Sequence, residues 1–287
     1  MKKVSIIGAG GMAGHMISCY LAKTGYYKIQ NISHSVKLGP DWILADVEER
    51  GQIVAVLEQF SPDIVINCAG ILVKESELKP GTAAYVNGYF PHFLAKVGAR
   101  NGFKLIHLST DCVFSGLTGG YSENAPKDGN GFYSQSKAMG EVINNRDLTV
   151  RTSIIGPELK LNGTGLFHWI MSSHGMVKGY DRVYWNGVTT LELAKAIEAF
   201  MISGTVGLCH LATPGRTSKL DLLSLILEVW NRKDPALVKD SSVVCDKTLI
   251  STRQDLPYKP SAYRKQFEEM RGWICANKET YFPRYCS

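Results

Sequence analysis

The stretch that most narrows the fold of this chain comes first. Val4-Ser5-Ile6-Ile7 is a short apolar run, Gly8-Ala9-Gly10-Gly11-Met12-Ala13-Gly14 follows at once, and an apolar helical segment continues to Lys23. A strand that feeds a glycine turn and then a helix leaves few architectures open. The glycines permit a tight turn, close approach of backbone to a phosphate and close helix–strand packing. The helix N-terminus then offers N–H groups to a pyrophosphate. The spacing of Gly8, Gly11 and Gly14 is GxxGxxG rather than GxGxxG, so the strand ahead of it carries the weight. This stretch predicts a dinucleotide held at Gly8, Gly11, Met12 and Gly14.

The rhythm that starts there persists. Residues 27–32 read as a second strand, followed by Ser33-His34-Ser35-Val36-Lys37 with no acid until Asp41. An acid at this point would suit the unphosphorylated cofactor. Ser33, His34 and Lys37 instead suit a 2′-phosphate, which favours NADPH and leaves NADH as the alternative. Residues 44–47, with Asp46 and Val47, form a short strand expected near the adenine. Residues 48–60 have helical periodicity, and residues 64–70 are nearly all apolar, as in the buried middle of a parallel sheet. Ala69 and Gly70 are small enough to let a cofactor lie on backbone. A helix within 79–102 carries Asn87, and residues 103–108 form the next strand, with His107 expected to be packed. That strand ends in Ser109-Thr110-Asp111-Cys112, where open sheets place their chemistry. Alternating strands and helices predict an α/β chain with a mostly parallel sheet.

Phe132-Tyr133-Ser134-Gln135-Ser136-Lys137 reads as the opening of a helix that places Tyr133 and Lys137 one turn apart on one face. An ammonium near a phenol favours the phenolate, and a phenol so tuned can give a proton to an alkoxide or take it back. After Pro157 the alternation breaks. The expected division is a Rossmann-type domain over 1–157, to which 190–213 returns, and a smaller substrate lobe over 158–189 and 214–287. Residues 179–190 read as a loop whose Tyr180, Tyr184 and Trp185 could stack on a sugar or base.

Composition removes several classes. A net charge of +6 with no basic run interleaved with aromatics favours a small anionic ligand over a nucleic acid polymer. Residues 4–7 are too short for the apolar stretch of a signal peptide, and no window approaches the roughly 18 apolar residues of a membrane span. The seven cysteines are scattered, odd in number and without a CxxC, as in a cytoplasmic protein with reduced thiols, and they suggest no zinc site.

Taken in order, Gly8 to Gly14, Asp46-Val47, Pro62 to Ala69, Val86-Asn87, Leu108-Ser109-Thr110-Asp111, Tyr133 to Lys137 with Gly140-Glu141, and Arg151-Thr152 make the chain resemble the extended short-chain dehydrogenase/reductases. Within them it is similar to the dTDP-4-dehydrorhamnose reductase group. The resemblance implies that Tyr133 protonates the substrate oxygen. Lys137 holds the nicotinamide ribose and depresses the Tyr133 pKa, and Thr110 hydrogen-bonds the carbonyl. Ser109, Asp111 and Trp185 lie at the substrate, and Asn87 supports the site. It implies hydride transfer from NADPH to the C4 ketone of a nucleotide-linked 4-keto-6-deoxy sugar, in deoxysugar or polysaccharide precursor synthesis, and leaves a homodimer open.

Three departures stand out. The group has tyrosine where this chain has Cys112. A cysteine there resembles the GDP-fucose synthases, in which it works with a histidine, and His168 is the candidate partner for a 3,5-epimerase step. The loop Trp185-Asn186-Gly187-Val188-Thr189-Thr190 differs from the group's pattern. The first helix has His15, Met16 and Ile17 where some members place a magnesium-binding glutamate, so no metal is expected. A 4,6-dehydratase would show Thr-Asp-Glu at the active strand rather than Thr110-Asp111-Cys112. A further alternative is a non-catalytic NADP-binding regulatory subunit, though such proteins can lose the tyrosine or lysine that this chain keeps.

Overall fold

The computed structural model describes residues 1–286. Six strands, β1 (Lys2–Ile7), β2 (Tyr27–Ser33), β3 (Trp42–Leu44), β4 (Ile64–Asn67), β5 (Lys104–Thr110) and β6 (Leu148–Thr152), and a seventh at Gly207–His210 make one parallel sheet. Their spatial order is β3-β2-β1-β4-β5-β6, with Gly207–His210 outermost beside β6. This is the doubly wound arrangement expected from the sequence, and the strand order reverses between β1 and β4. Ligands bind outside the carboxyl ends of strands at such a reversal.

Alternation along β1 supplies both faces. Val4 and Ile6 enter one core with Met16, Ile17 and Leu21 of α1 (Met12–Thr24) and Ile197 of the Thr190–Ser203 helix. Ile7 enters the other with Ile53 and Leu57 of α2 (Arg50–Phe60) and Phe90 and Leu94 of the Phe90–Asn101 helix. A period of two on a strand clad by helices on both sides gives this split.

Three stretches differ from the sequence reading, and the first is the short strand expected over 44–47, which lies at Trp42–Leu44. The expected helix within 79–102 is divided into Pro80–Ala83, a π-helical turn at Ala84–Tyr89, and Phe90–Asn101. Pro80 stands in the first turn of its segment, where a missing N–H costs no helical bond, and Pro91 directly follows the π-helical turn, to whose carbonyls it can donate no N–H. The expected aromatic loop of 179–190 lies instead in three short strands. Met176–Tyr180 pairs with Ala236–Asp240, Val183–Trp185 with Thr217–Ser218 and Cys245–Asp246, and Val188–Thr189 with Ile154–Ile155. Valine, tyrosine and tryptophan suit a pleated surface, and their partners lie too far along the chain for local pattern to reveal. Among the described residues, no helix is long and apolar enough to cross a membrane.

Candidate active site

At the sheet reversal, the glycine turn forms a cradle of backbone. Gly8, at φ +80°, and Ala9 donate their N–H groups to the Ile32 carbonyl at 2.9 and 3.0 Å, which ties the turn to β2. A side chain at Gly8 would meet the Ala69 nitrogen at 2.7 Å, and one at Gly14 would strike the Gly8 carbonyl oxygen. Gly11 is the N-cap of α1 and brings no capping side chain, so the first N–H groups of that helix are left for a ligand. A pyrophosphate fits this cradle, with Met12 at the first helical position.

Residues 33–37 fold onto the turn. Ser33 is buried and its hydroxyl accepts the Val36 N–H at 3.1 Å, while His34 and Lys37 stay exposed. The His34 ring lies 3.7 Å from the Asp46 carboxylate, whose other oxygen accepts the Glu48 N–H at 3.0 Å, and Val47 is half-buried beside it. Half-buried Ala69, packed against Gly8, and exposed Gly70 follow β4. Asn87, buried in the π-helical turn, accepts from the Ile71 N–H at 2.9 Å and donates to the Ile71 carbonyl and the Ser136 hydroxyl at 3.0 and 3.1 Å. One amide thus fastens the loop after β4 to the Phe132–Met139 helix, and Gly140 lets that helix close on the Asn87 carbonyl.

Thr110 ends β5 and caps the short turn Asp111–Val113. Its hydroxyl donates to the Asp111 carboxylate at 3.1 Å and accepts the Cys112 N–H at 3.1 Å. Tyr133 faces Thr110, Cys112 and Asp111. Burial holds its phenol above the ordinary range, Cys112 and Asp111 add to this, and the Thr110 hydroxyl opposes it. The lowering by Lys137 expected from the sequence is therefore corrected. Lys137 is buried and its ammonium turns under the strand to donate to the Leu108 carbonyl at 2.7 Å. Burial pushes it down to about 8, against the pull of Glu141 and Cys68. The consequence is a phenol that stays protonated at neutral pH, the form that can give a proton away.

Other residues marked in the sequence go elsewhere. Ser109 is buried and its hydroxyl donates to Glu141 at 2.8 Å. Trp185 is 4% exposed and stacks on Tyr263 with ring centroids 5.6 Å apart, so it is a packed wall and no open platform. The thiol of Cys112 is pushed up to about 11 by burial and the Asp111 charge. The ring of His168 is buried and shares a 2.6 Å hydrogen bond with the Tyr285 hydroxyl, with Phe282 packed edge-on. His107 is buried against Asn67 at 3.2 Å. Among the described residues, no group of three or more histidines, cysteines, aspartates or glutamates is placed to hold a metal ion. Sequence reasoning passed over Cys68, whose thiol burial raises beside Lys137, and Lys219, whose charge acts on Asp111 and Cys112.

A doubly wound sheet with a glycine cradle at its reversal and a tyrosine and lysine one helical turn apart beside the adjoining strand end defines an extended short-chain dehydrogenase/reductase. A family model described as RmlD substrate binding domain matches residues 1–248, and the chain belongs to that family. A dTDP-4-dehydrorhamnose reductase of Mycobacterium tuberculosis is 28% identical over 84% of this chain and 79% of its own length. Another, of Aggregatibacter actinomycetemcomitans, is 29% identical over 53% of this chain, and there the chain spans about half of the relative, 51%. In structure, the dTDP-4-dehydrorhamnose reductase of Bacillus anthracis in complex with NADP superposes with a TM-score of 0.79 at 20% identity, covering 94% of this chain and 98% of that one.

Proposed function

We propose that the chain reduces the C4 ketone of a nucleotide-linked 4-keto-6-deoxy sugar, with NADPH as the reductant, in the making of a deoxysugar precursor for a glycan. The observation that carries this reading is the Tyr133 phenol set beside the Thr110 hydroxyl at the carboxyl end of β5. The names of the relatives point the same way. NADPH, when bound, supplies the hydride that adds to C4. Gly8, Gly11, Met12 and Gly14 hold its pyrophosphate, and Ala69 and Gly70 floor its path. Exposed His34 and Lys37 suit a 2′-phosphate, and Asp46-Val47 lie toward the adenine. Lys137 holds the nicotinamide ribose, with Asn87 bracing the helix that carries it.

The ketone oxygen takes two directed groups. The Thr110 hydroxyl donates to the carbonyl, and Tyr133 gives its phenolic proton to the oxygen as it gains negative charge. Donors fixed in advance where charge develops account for much of such a rate enhancement. The product is the alcohol, and Tyr133 regains its proton from solvent. Residues 158–189 and 214–287 would hold the nucleotide sugar, against a cofactor half built from 1–157 and 190–213. The free cysteines suit a cytoplasmic setting.

Reduction alone is favoured over coupled 3,5-epimerisation. A base must lose its proton to take one from carbon, and burial and Asp111 keep the Cys112 thiol protonated at neutral pH. His168 has its ring nitrogen on Tyr285. Retention of both Tyr133 and Lys137 favours an enzyme over a regulatory subunit. The test is NADPH oxidation with the 4-keto-6-deoxy-D-glucose nucleotide and, separately, the 4-keto-L-rhamnose nucleotide, with products identified by NMR. Oxidation with the second substrate alone supports simple reduction. Conversion of the first to an L-sugar establishes the epimerase, and tight NADPH binding with no turnover of either sinks the reductase reading.

A further inference from the structure

Lys219 has no part in the chemistry above, and its position is costly. It opens the Lys219–Val229 helix, directly after the cap Ser218, whose hydroxyl accepts the Asp221 N–H at 3.0 Å. A cation in the first turn opposes the helix dipole, so helix stability does not explain it. Its ammonium lies 4.8 Å from the centroid of the Trp185 ring, and Trp185 is itself fixed against Tyr263. The groups whose charge it feels are Asp111, Cys112 and Cys245. Among the described residues no hydrogen bond or ion pair holds this ammonium. The residue is half-buried, and burial lowers its pKa.

Asp111 is the counterpart. It is 6% exposed, one of its oxygens accepts from Thr110 at 3.1 Å, and it forms no ion pair with Lys219. The two opposite charges act on each other without an ion pair, and Asp111 also acts on the Tyr133 phenol. Lys247 also acts on Asp111, and its charge is shared with Asp128. The surroundings are balanced in charge, which suits a neutral, oxygen-rich ligand better than a diphosphate facing the Asp111 carboxylate.

We propose that Lys219 is a substrate-recognition residue, donating a hydrogen bond to a ring-substituent oxygen of the sugar, a hydroxyl or an acylamino carbonyl near C4, while Asp111 accepts from the same edge. This rests on the reading of the chain as a nucleotide-sugar 4-ketoreductase. The oxygen gives Lys219 the acceptor that the protein does not, so sugars without an acceptor there are rejected.

The experiment compares the wild type with Lys219→Met and Lys219→Arg. It measures kcat and KM for the 4-keto nucleotide sugar, inhibition by the matching nucleoside diphosphate without sugar, and NADPH binding. Loss of a charged hydrogen bond is expected to raise the KM of Lys219→Met by about 10- to 100-fold. Nucleoside diphosphate inhibition and NADPH affinity stay unchanged, and Lys219→Arg, which keeps the charge over Trp185, recovers most of the loss. An equal loss of nucleoside diphosphate affinity would make Lys219 a phosphate contact and overturn the proposal, as would an unchanged KM. If Lys219→Met does not fold, Lys219→Gln carries the same comparison, with an intermediate KM expected and an unchanged one fatal. A wild type that binds NADPH and turns over no 4-keto nucleotide sugar refutes the underlying reading instead.

Discussion

Ser109 and Thr110 are neighbours at the end of β5, yet their side chains enter opposite electrostatic settings. On the Ser109 side every buried charge is answered. Ser109 donates to Glu141, Arg151 grips the same carboxylate at 2.5 and 2.7 Å, and Lys127 adds a contact at 3.1 Å. The remaining Arg151 nitrogen donates to the Glu123 carbonyl at 3.0 Å and to His210 at 3.1 Å. On the Thr110 side, Asp111 and Lys219 act on each other without an ion pair, and burial raises the Cys112 thiol and the Tyr133 phenol. A buried network whose charges are paired shapes a chain, whereas charges that act on one another without pairing are left to a ligand.

The contrast can be broken by substitution, most strongly at Tyr133. Tyr133→Phe removes the proton donor while leaving the ring, and kcat is expected to fall by about 10²- to 10⁴-fold with NADPH affinity kept. Stopped-flow turnover and cofactor titration check this, and near-normal kcat would remove Tyr133 from the chemistry. On the other side, Arg151→Met leaves Glu141 buried without its main partner, at a cost of about 3–5 kcal/mol in stability. Chemical denaturation measures that loss. The folded fraction should turn over much as the wild type does, and a kcat loss without a stability loss would erase the distinction.

The pH profile sharpens the comparison with a smaller effect. Lys137 has its pKa lowered to about 8 by burial, so it loses its charge as pH rises through that value, while the Tyr133 phenol is raised and remains protonated. Activity measured as kcat/KM should decline above about pH 8, and Lys137→Arg should move that decline to higher pH. For stability the sign is the reverse. The unfolded lysine still binds its proton between about 8 and 10.5 and the folded one does not, so this group adds stability as pH rises through that window. A decline that Lys137→Arg leaves in place would assign the limb to another group. The smallest effect belongs to Cys112→Ser. If the thiol only lines the cleft, 4-reduction is nearly unchanged, and a selective loss of activity on the unepimerised sugar would give it a proton-transfer role.

The doubly wound sheet was legible because its signals are local: an apolar run, a glycine turn and a helix recur within short windows. Tyr133, Lys137 and Thr110 stood out for the same reason, as residues placed on strand ends and helix openings. Direction was less legible. Nothing local shows that Lys137 turns to Leu108 or that Ser109 points to Glu141, since both depend on what packs from elsewhere. Trp185 looked like a loop aromatic because its strand partners, Thr217–Ser218 and Cys245–Asp246, lie over thirty residues on. Lys219 left one trace, a cation placed against the dipole of its own helix, and only the approach of Asp111 gives that trace a meaning.

The outermost strand, Gly207–His210, also bears on how the chain is made. It covers the edge of β6 and sets His210 on Arg151, while the Glu123 carboxylate binds the His210 N–H at 3.2 Å and Thr252 at 2.9 and 2.8 Å. During synthesis from the amino terminus, β6 emerges with a bare edge open to foreign strands. That edge is covered only when Gly207–His210 arrives, and the clasp around Glu123 closes only after Thr252. A ribosome stalled after β6 and before Gly207 would hold a chain with its glycine turn already made and its sheet still adhesive.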